Sequence, residues 1–244
     1  MKKAALLSIP VSLALALLGF FLSWNASASP SVQSLWSNSV PAHADSSDPN
    51  SVNVGLRFHS SVPGQILGIR FYKGPGNTGT HVGSLWSSSG QRLGGVTFSN
   101  ETAAGWQVAH FATPISIAAF TTYDASYLAP HGHYAYDNNY FGTARQSGNL
   151  VAEQAKLPYG NGVYTYSGAT AFPATASKNL TNYWVDVLFQ PSSIQSCKTR
   201  LAAASARLGS SGISLANCGS SIETRIGRKA GCPTSTRTAS RSTT

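Results

Sequence analysis

The sequence predicts an all-β protein, an antiparallel β-sandwich over residues 29–190, for which a jelly roll is one permitted topology. Three observations carry this. Apolar and polar residues alternate at period 2 in short runs, the pattern of strands that bury one face. Turn residues recur at the roughly 8–12 residue spacing of sandwiches and barrels. Up to Phe189, no run beyond the N-terminal apolar segment combines helical periodicity with caps.

The elements follow in order. Lys2 and Lys3 precede an apolar run from Ala4 to Leu22, and Ala26-Ser27-Ala28 is an A-x-A cleavage triplet. Residues 1–28 therefore read as a signal peptide, with a mature start near Ser29. The run approaches the ~18–20 apolar residues that span a bilayer, so an uncleaved anchor is the rival reading. Pro10 and the cleavage triplet favour export, and no membrane span is expected after cleavage. Between Ser31 and Phe189 there are about nine strand-like runs. Val52, Val54, Leu56 and Phe58 alternate with Asn53, Gly55, Arg57 and His59. Leu67, Ile69 and Phe71 form the next apolar face. Gly74-Pro75-Gly76-Asn77 is a turn, since Pro fixes φ while Gly and Asn tolerate positive values. Ser88-Ser89-Gly90-Gln91 joins His81–Trp86 to Gly94–Phe98 as a hairpin. Ser99–Gly105 holds a short turn, and Trp106–Phe111, Ile115–Ile117, Tyr123–Leu128 and Tyr134–Tyr136 follow. Asn138–Ser177 reads as long loops with short strands, a place where sandwiches often carry function. Tyr183, Val185, Val187 and Phe189 alternate with Trp184, Asp186 and Leu188.

From residue 191 to 244 the chain is basic, rich in Ser, Thr, Ala and Arg, and has no aromatic residue. It reads as a disordered, low-complexity tail. Two origins fit it: a selected tail that binds an anionic polymer by charge, or a frameshift that replaced further domains. All three cysteines, Cys197, Cys218 and Cys232, lie in it, so the folded region is expected to rest on its core without disulfides.

The motifs VGLRF at Val54–Phe58, IRFYKG at Ile69–Gly74 and NTGTHVGSLW at Asn77–Trp86 occur in that order. GWQVAHFATPI at Gly105–Ile115, TTYDASY at Thr121–Tyr127, GHYAYD at Gly132–Asp137 and NYWVDVLF at Asn182–Phe189 continue it. From about Val52 to Phe189 the chain thus resembles the domain of unknown function 4082 family of bacterial extracellular domains. The resemblance implies a β-rich extracellular domain and no particular activity. The family usually has glycine where Phe120 stands and a small apolar residue where Asp124 stands.

The formal charge of +9 is uneven. Residues 29–196 hold seven basic and seven acidic side chains, so the domain is neutral. A nucleic-acid-binding face needs clustered Lys and Arg within the fold, so that class is set aside. A glycosidase needs two carboxylates across a cleft, and no spacing nominates a pair. Neither a GxSxG nor an HExxH motif occurs. No catalytic residue, cofactor or metal is expected. His131-Gly-His133 sets two imidazoles on one strand face that Asp137 or His81 could complete as a metal site, but an HxH pair with no identified third ligand is a weak signal. Asp45, Asp48 and Asn50 read as Asx turns rather than a calcium loop.

What remains is the aromatic content of a neutral domain. Flat rings match the apolar faces of sugars, and nearby Asn, Asp or His match their hydroxyls. The candidate ligand-binding residues are Tyr72, His81, Trp86, Trp106, His133, Tyr134, Tyr136 and Tyr140. Alternation sets Trp184 and Asp186 opposite Val185 and Val187, and Trp106 opposite Ala109 and Phe111. Those two tryptophans are therefore expected at exposed positions or in a second packing layer. The expectation is a secreted, non-catalytic module that binds glycan or another extracellular surface or cell-surface polymer. The alternatives are a spacer domain of an envelope protein and an accessory domain of a truncated enzyme.

Overall fold

The computed structural model describes residues 30–156 and 158–192. The expected signal peptide and the expected tail beyond Ser192, with its cysteines, lie outside the described residues.

Eleven strands form two antiparallel sheets among these residues: β1 (Val52–Ser60), β2 (Gly64–Lys73), β3 (Val82–Ser87), β4 (Arg92–Thr97), β5 (Gly105–Ile117), β6 (Tyr123–Ala129), β7 (Arg145–Ser147), β8 (Leu150–Ala152), β9 (Gly162–Tyr166), β10 (Thr175–Ala176) and β11 (Val185–Pro191). The wide sheet runs β10-β9-β1-β6-β3-β4, with the β7–β8 hairpin joined to the end of β1. The narrow sheet is β11-β2-β5. The chain passes between the sheets from β1 to β2, β2 to β3, β4 to β5 and β5 to β6. This alternation is jelly-roll-like, with one sheet much wider than the other.

The alternating runs do place the core between the sheets. Val52, Val54, Leu56 and Phe58 of β1 are buried against Ile69 and Phe71 of β2 and Val185, Val187 and Phe189 of β11. Phe71 stacks on Tyr127 at 4.0 Å and meets Phe98 edge-on at 4.8 Å. The β3–β4 hairpin forms at Ser88–Gln91, where Gly90 has φ +85°.

Two expectations need correction. Trp106–Phe111 and Ile115–Ile117 are one strand, β5. Pro114 lies within it without breaking it, because β5 is the free edge of the narrow sheet. Tyr134–Tyr136 is not a strand. His133 has φ +53°, and only Tyr136 makes a bridge, to His43.

The register between β2 and β5 shifts between Ile66 and Gly68. A Cβ at Gly68 would collide with the Ala109 carbonyl oxygen. Gly68→Ala is expected to destabilise the domain by about 1–3 kcal/mol. A urea midpoint equal to that of the wild type would show that the two strands part freely there.

Both sheets are also covered on their outer faces, so burial does not alternate. Residues 167–173 lie over the wide sheet. Asn53 Nδ2 donates to Ala169 O at 3.0 Å, and Phe172 packs on Trp86 at 5.8 Å. Residues 33–48 form a strap over the narrow sheet. Gln33 and Phe189 exchange backbone hydrogen bonds of 2.7 and 2.8 Å. The buried Asp186 carboxylate accepts the N–H groups of Leu35 at 2.8 Å and Trp36 at 3.0 Å. Trp36 donates its indole N–H to Val185 O, and Trp106 donates its own to Ser39 O. Trp36 of the strap packs on Tyr140 and Trp184, and Trp184 packs on Trp106, so the alternative of a second packing layer is the one realised.

Candidate functional site

The wide sheet overhangs the narrow one. Residues paired across neighbouring strands share a face, and Tyr164 and Tyr166 of β9 pair with the core residues Val54 and Val52 of β1. Both tyrosines therefore lie on the inner face, beyond the reach of the three-stranded sheet. The result is an open cleft of about 510 Å³.

Its walls come from three other segments. The end of the strap brings Ser46, Ser47 and Asp48. It is laced to the next segment by Ser46 N–H donating to Tyr134 O and His133 N–H donating to Asp48 O. That segment supplies Tyr134, Tyr136 and Asn138, and residues 177–183 supply Lys178, Asn179, Thr181 and Tyr183. Thr181 donates to Asn138 Oδ1 at 2.9 Å and accepts from Ser177 at 2.8 Å, which ties two walls together. His133, Asn139, Leu180 and Trp184 all hold positive φ in or beside these walls. For Leu and Trp this backbone costs roughly 1–3 kcal/mol each, and such strain clusters at binding sites.

Five tyrosines form one continuous edge-to-face row. Tyr136 meets Tyr134 at 6.5 Å, Tyr134 meets Tyr183 at 5.5 Å, Tyr183 meets Tyr164 at 6.3 Å and Tyr164 meets Tyr166 at 5.9 Å. Each interplanar angle lies between 67° and 78°. His43 stacks on Tyr136 at 4.9 Å and so occupies one of that ring's faces.

Asp48 sets the electrostatics. Desolvation pushes its carboxyl up, but donors from Tyr166, Asn50 and Tyr134 outweigh it and hold the group below the usual carboxylate range. Tyr166 donates to Asp48 Oδ2 at 2.7 Å, and the bond pushes the phenol up to about 12. Burial raises Tyr134 and Tyr183 as well. At neutral pH these three rings stay neutral beside one ionised carboxylate.

Tyr134 and Tyr136 are thus the two candidates that line the cleft. The other six lie elsewhere. His81 is fully buried in a polar chain: Nδ1 lies 2.8 Å from Glu101, which also binds Lys73, and Nε2 lies 2.9 Å from the Asn77 amide, itself 2.9 Å from Tyr127 OH. Burial lowers the His81 pKa against the pull of Glu101. Asn77 Oδ1 faces His81 Nε2, and Asn77 Nδ2 donates to the Tyr127 hydroxyl. Trp86 is 6 % exposed and donates to Ser126 Oγ at 2.9 Å. Tyr72 packs edge-on against Trp106, whose outer face carries the Arg70 guanidinium at 3.7 Å. Tyr140 lies against Trp36 under the strap, with Arg145 at 4.4 Å from its ring. His133 points to Asp45, 2.9 Å from Nδ1. None of the six lines the tyrosine cleft.

The residues that sequence reasoning missed are Tyr164, Tyr166, Tyr183, Lys178 and Asn179, with Asp48 considered there only for calcium. One signal was available: Tyr-x-Tyr occurs at both 134–136 and 164–166, and an i, i+2 pair on a strand presents two rings on one face.

No curated protein and no solved structure is significantly similar to the chain. The model of the domain of unknown function 4082 family matches residues 38–185, which include every residue of the cleft. The match covers more than half of the chain, and the protein belongs to that family.

Proposed function

We propose that the protein is a secreted, non-catalytic module that binds glycan in the tyrosine cleft. One observation carries this reading: five tyrosines in a mutually braced row line an open cleft studded with Asp48, Asn138, Ser177, Lys178 and Asn179. Tyrosine offers a rigid, amphipathic surface with few rotamers to freeze, which suits the alternating apolar faces and hydroxyl rims of sugars. The cleft lies within the range of about 300–1,000 Å³ usual for ligand sites. Asp48 is the one carboxylate among its lining residues, and glycoside hydrolysis ordinarily takes two. Among the described residues no helix is long and apolar enough to cross a membrane. Secretion rests on the N-terminal signal-like segment.

Affinity electrophoresis of the purified protein through a panel of polysaccharides tests the reading. Tyr164→Ala and Tyr166→Ala are expected to weaken retention about tenfold each, equivalent to roughly 1.4 kcal/mol. Phe120→Ala, an exposed ring outside the cleft, is expected to change nothing. A folded protein that no polysaccharide retards defeats the proposal. The alternative of a spacer domain draws on the burial of His81 and Trp86, which offer no face to a ligand. It predicts that none of these substitutions alters any binding.

A further inference from the structure

We infer that the cleft takes an uncharged glycan along several consecutive sugar units, rather than a chain end or an acidic polymer. This rests on the glycan reading and narrows its ligand class.

The first argument is charge. The lining residues carry one acid, Asp48, and one base, Lys178, and Tyr134, Tyr166 and Tyr183 are held as neutral phenols. The cleft is therefore formally neutral. Among the described residues Asp48 and Lys178 form no ion pair with each other. Asp48 already accepts two bonds at each oxygen, from Asn50 at Oδ1 and from Tyr166 and Tyr134 at Oδ2, so its part is to fix the tyrosines and repel anions. The Lys178 ammonium is the charged group that donates to a ligand hydroxyl oxygen, as a charge-assisted bond. A polyanion gains Lys178 but meets Asp48, which is held ionised by its phenol and amide donors. Like charge in a partly desolvated cleft is a standing penalty against such ligands.

The second argument is hydrogen-bond accounting. The Tyr166 and Tyr134 hydroxyls spend their hydrogens on Asp48, at 2.7 and 3.5 Å. They then present lone pairs to the cleft, and the Asn138 oxygen is likewise taken by Thr181. What faces outward is a mixture of phenolic acceptors with amide and ammonium donors. Neutral sugars, whose hydroxyls both donate and accept, satisfy such a mixture.

The third argument is repetition. Tyr183, 8 % exposed, is the buried centre of the row and braces Tyr134 with Tyr136 on one side and Tyr164 with Tyr166 on the other. A site for a single sugar needs one platform, and the cleft offers a pair of rings on each side. A row whose members brace one another edge-to-face is a preorganised track, which reduces the ordering cost of binding a longer chain.

Calorimetry with gluco-, manno-, xylo- and malto-oligosaccharides of one to six units, beside polygalacturonate, tests this. The expected result is affinity that rises about tenfold or more from dimer to tetramer for at least one neutral series. It should change by less than about twofold between 50 and 500 mM NaCl, because neutral ligands are not screened. Polygalacturonate should bind only after Asp48→Asn, which leaves the cleft net positive. Binding that is complete with a monosaccharide, or tight salt-sensitive binding of polygalacturonate by the unaltered protein, overturns the inference and leaves glycan recognition standing. A folded protein that binds none of these sugars, neutral or acidic, and none of the wider polysaccharide panel overturns both.

Discussion

Replacing Asp186 with alanine is expected to destabilise the domain by about 3–5 kcal/mol, the cost of breaking a buried, hydrogen-bonded charge. The carboxylate is fully buried and accepts from Leu35, Trp36 and Val187, with Arg70 Nε 3.7 Å away. Burial pushes its pKa up to about 6, so at neutral pH it is ionised, accepts from three N–H groups and offsets the Arg70 charge. Alanine leaves the three N–H groups without their acceptor and the guanidinium without its counter-charge. Against a total of roughly 5–15 kcal/mol, this is a large share of the stability. The strap should loosen first, because two of those N–H groups belong to it, and with it goes the wall that carries Asp48. Urea unfolding gives the magnitude, and proteolysis between Val32 and Val40 reports the strap. An unchanged urea midpoint in Asp186→Ala would refute the role.

The second large effect is a pH dependence of unusual sign. Asp124 is fully buried, and only Arg57 offsets its burial, through Nε at 3.1 Å; its other oxygen has no hydrogen-bond partner among the described residues. Desolvation therefore raises its pKa from 3.8 to about 6. Between these values the folded state holds a proton that the unfolded state has released. The associated stability is fully present below about pH 4 and is lost as pH rises through 6. A displacement of about two pH units corresponds to about 3 kcal/mol. Asp124→Asn keeps an acceptor for Arg57 and has no proton to lose. The wild type should thus lose about 3 kcal/mol relative to Asp124→Asn between pH 4 and 7. Parallel stability curves for the two proteins would sink the argument. The comparison isolates Asp124 from other acids, including Asp186, whose shift runs the same way and persists in both.

The fold was legible where one face of a strand decides its fate. Val52, Val54, Leu56 and Phe58 declare β1 because the other side chains of that strand are polar or small. It was not legible where a second covering intervenes. Asn53 and Asp186 look like solvent positions, yet both are buried, one under residues 167–173 and the other under the strap. Pro114 read as a break because nothing local marks β5 as an edge. The positive φ of His133 ends the alternation that Tyr134 and Tyr136 imitate. Of the cleft, only the 134–138 portion was legible. Its other residues come from the strap, β9 and the segment before β11, and converge only because the sheets differ in width. Phe120 shows the reverse case. Its φ of +52° is a backbone that favours glycine, the residue that the family resemblance leads one to expect there.

The exchange of hydrogen bonds between Gln33 and Phe189 has a mechanical meaning. It sets the incoming and outgoing ends of the described domain side by side, and Ser192 donates to Pro63 O just beyond. Tension applied through the two flanks would not run through the length of the sandwich. It would unzip that pair first, one bond at a time, at low force. The domain would hang beside the line of load like a tag on a thread, and the cleft, walled by Tyr164, Tyr166 and Asp48, would keep its shape until the strap had peeled away.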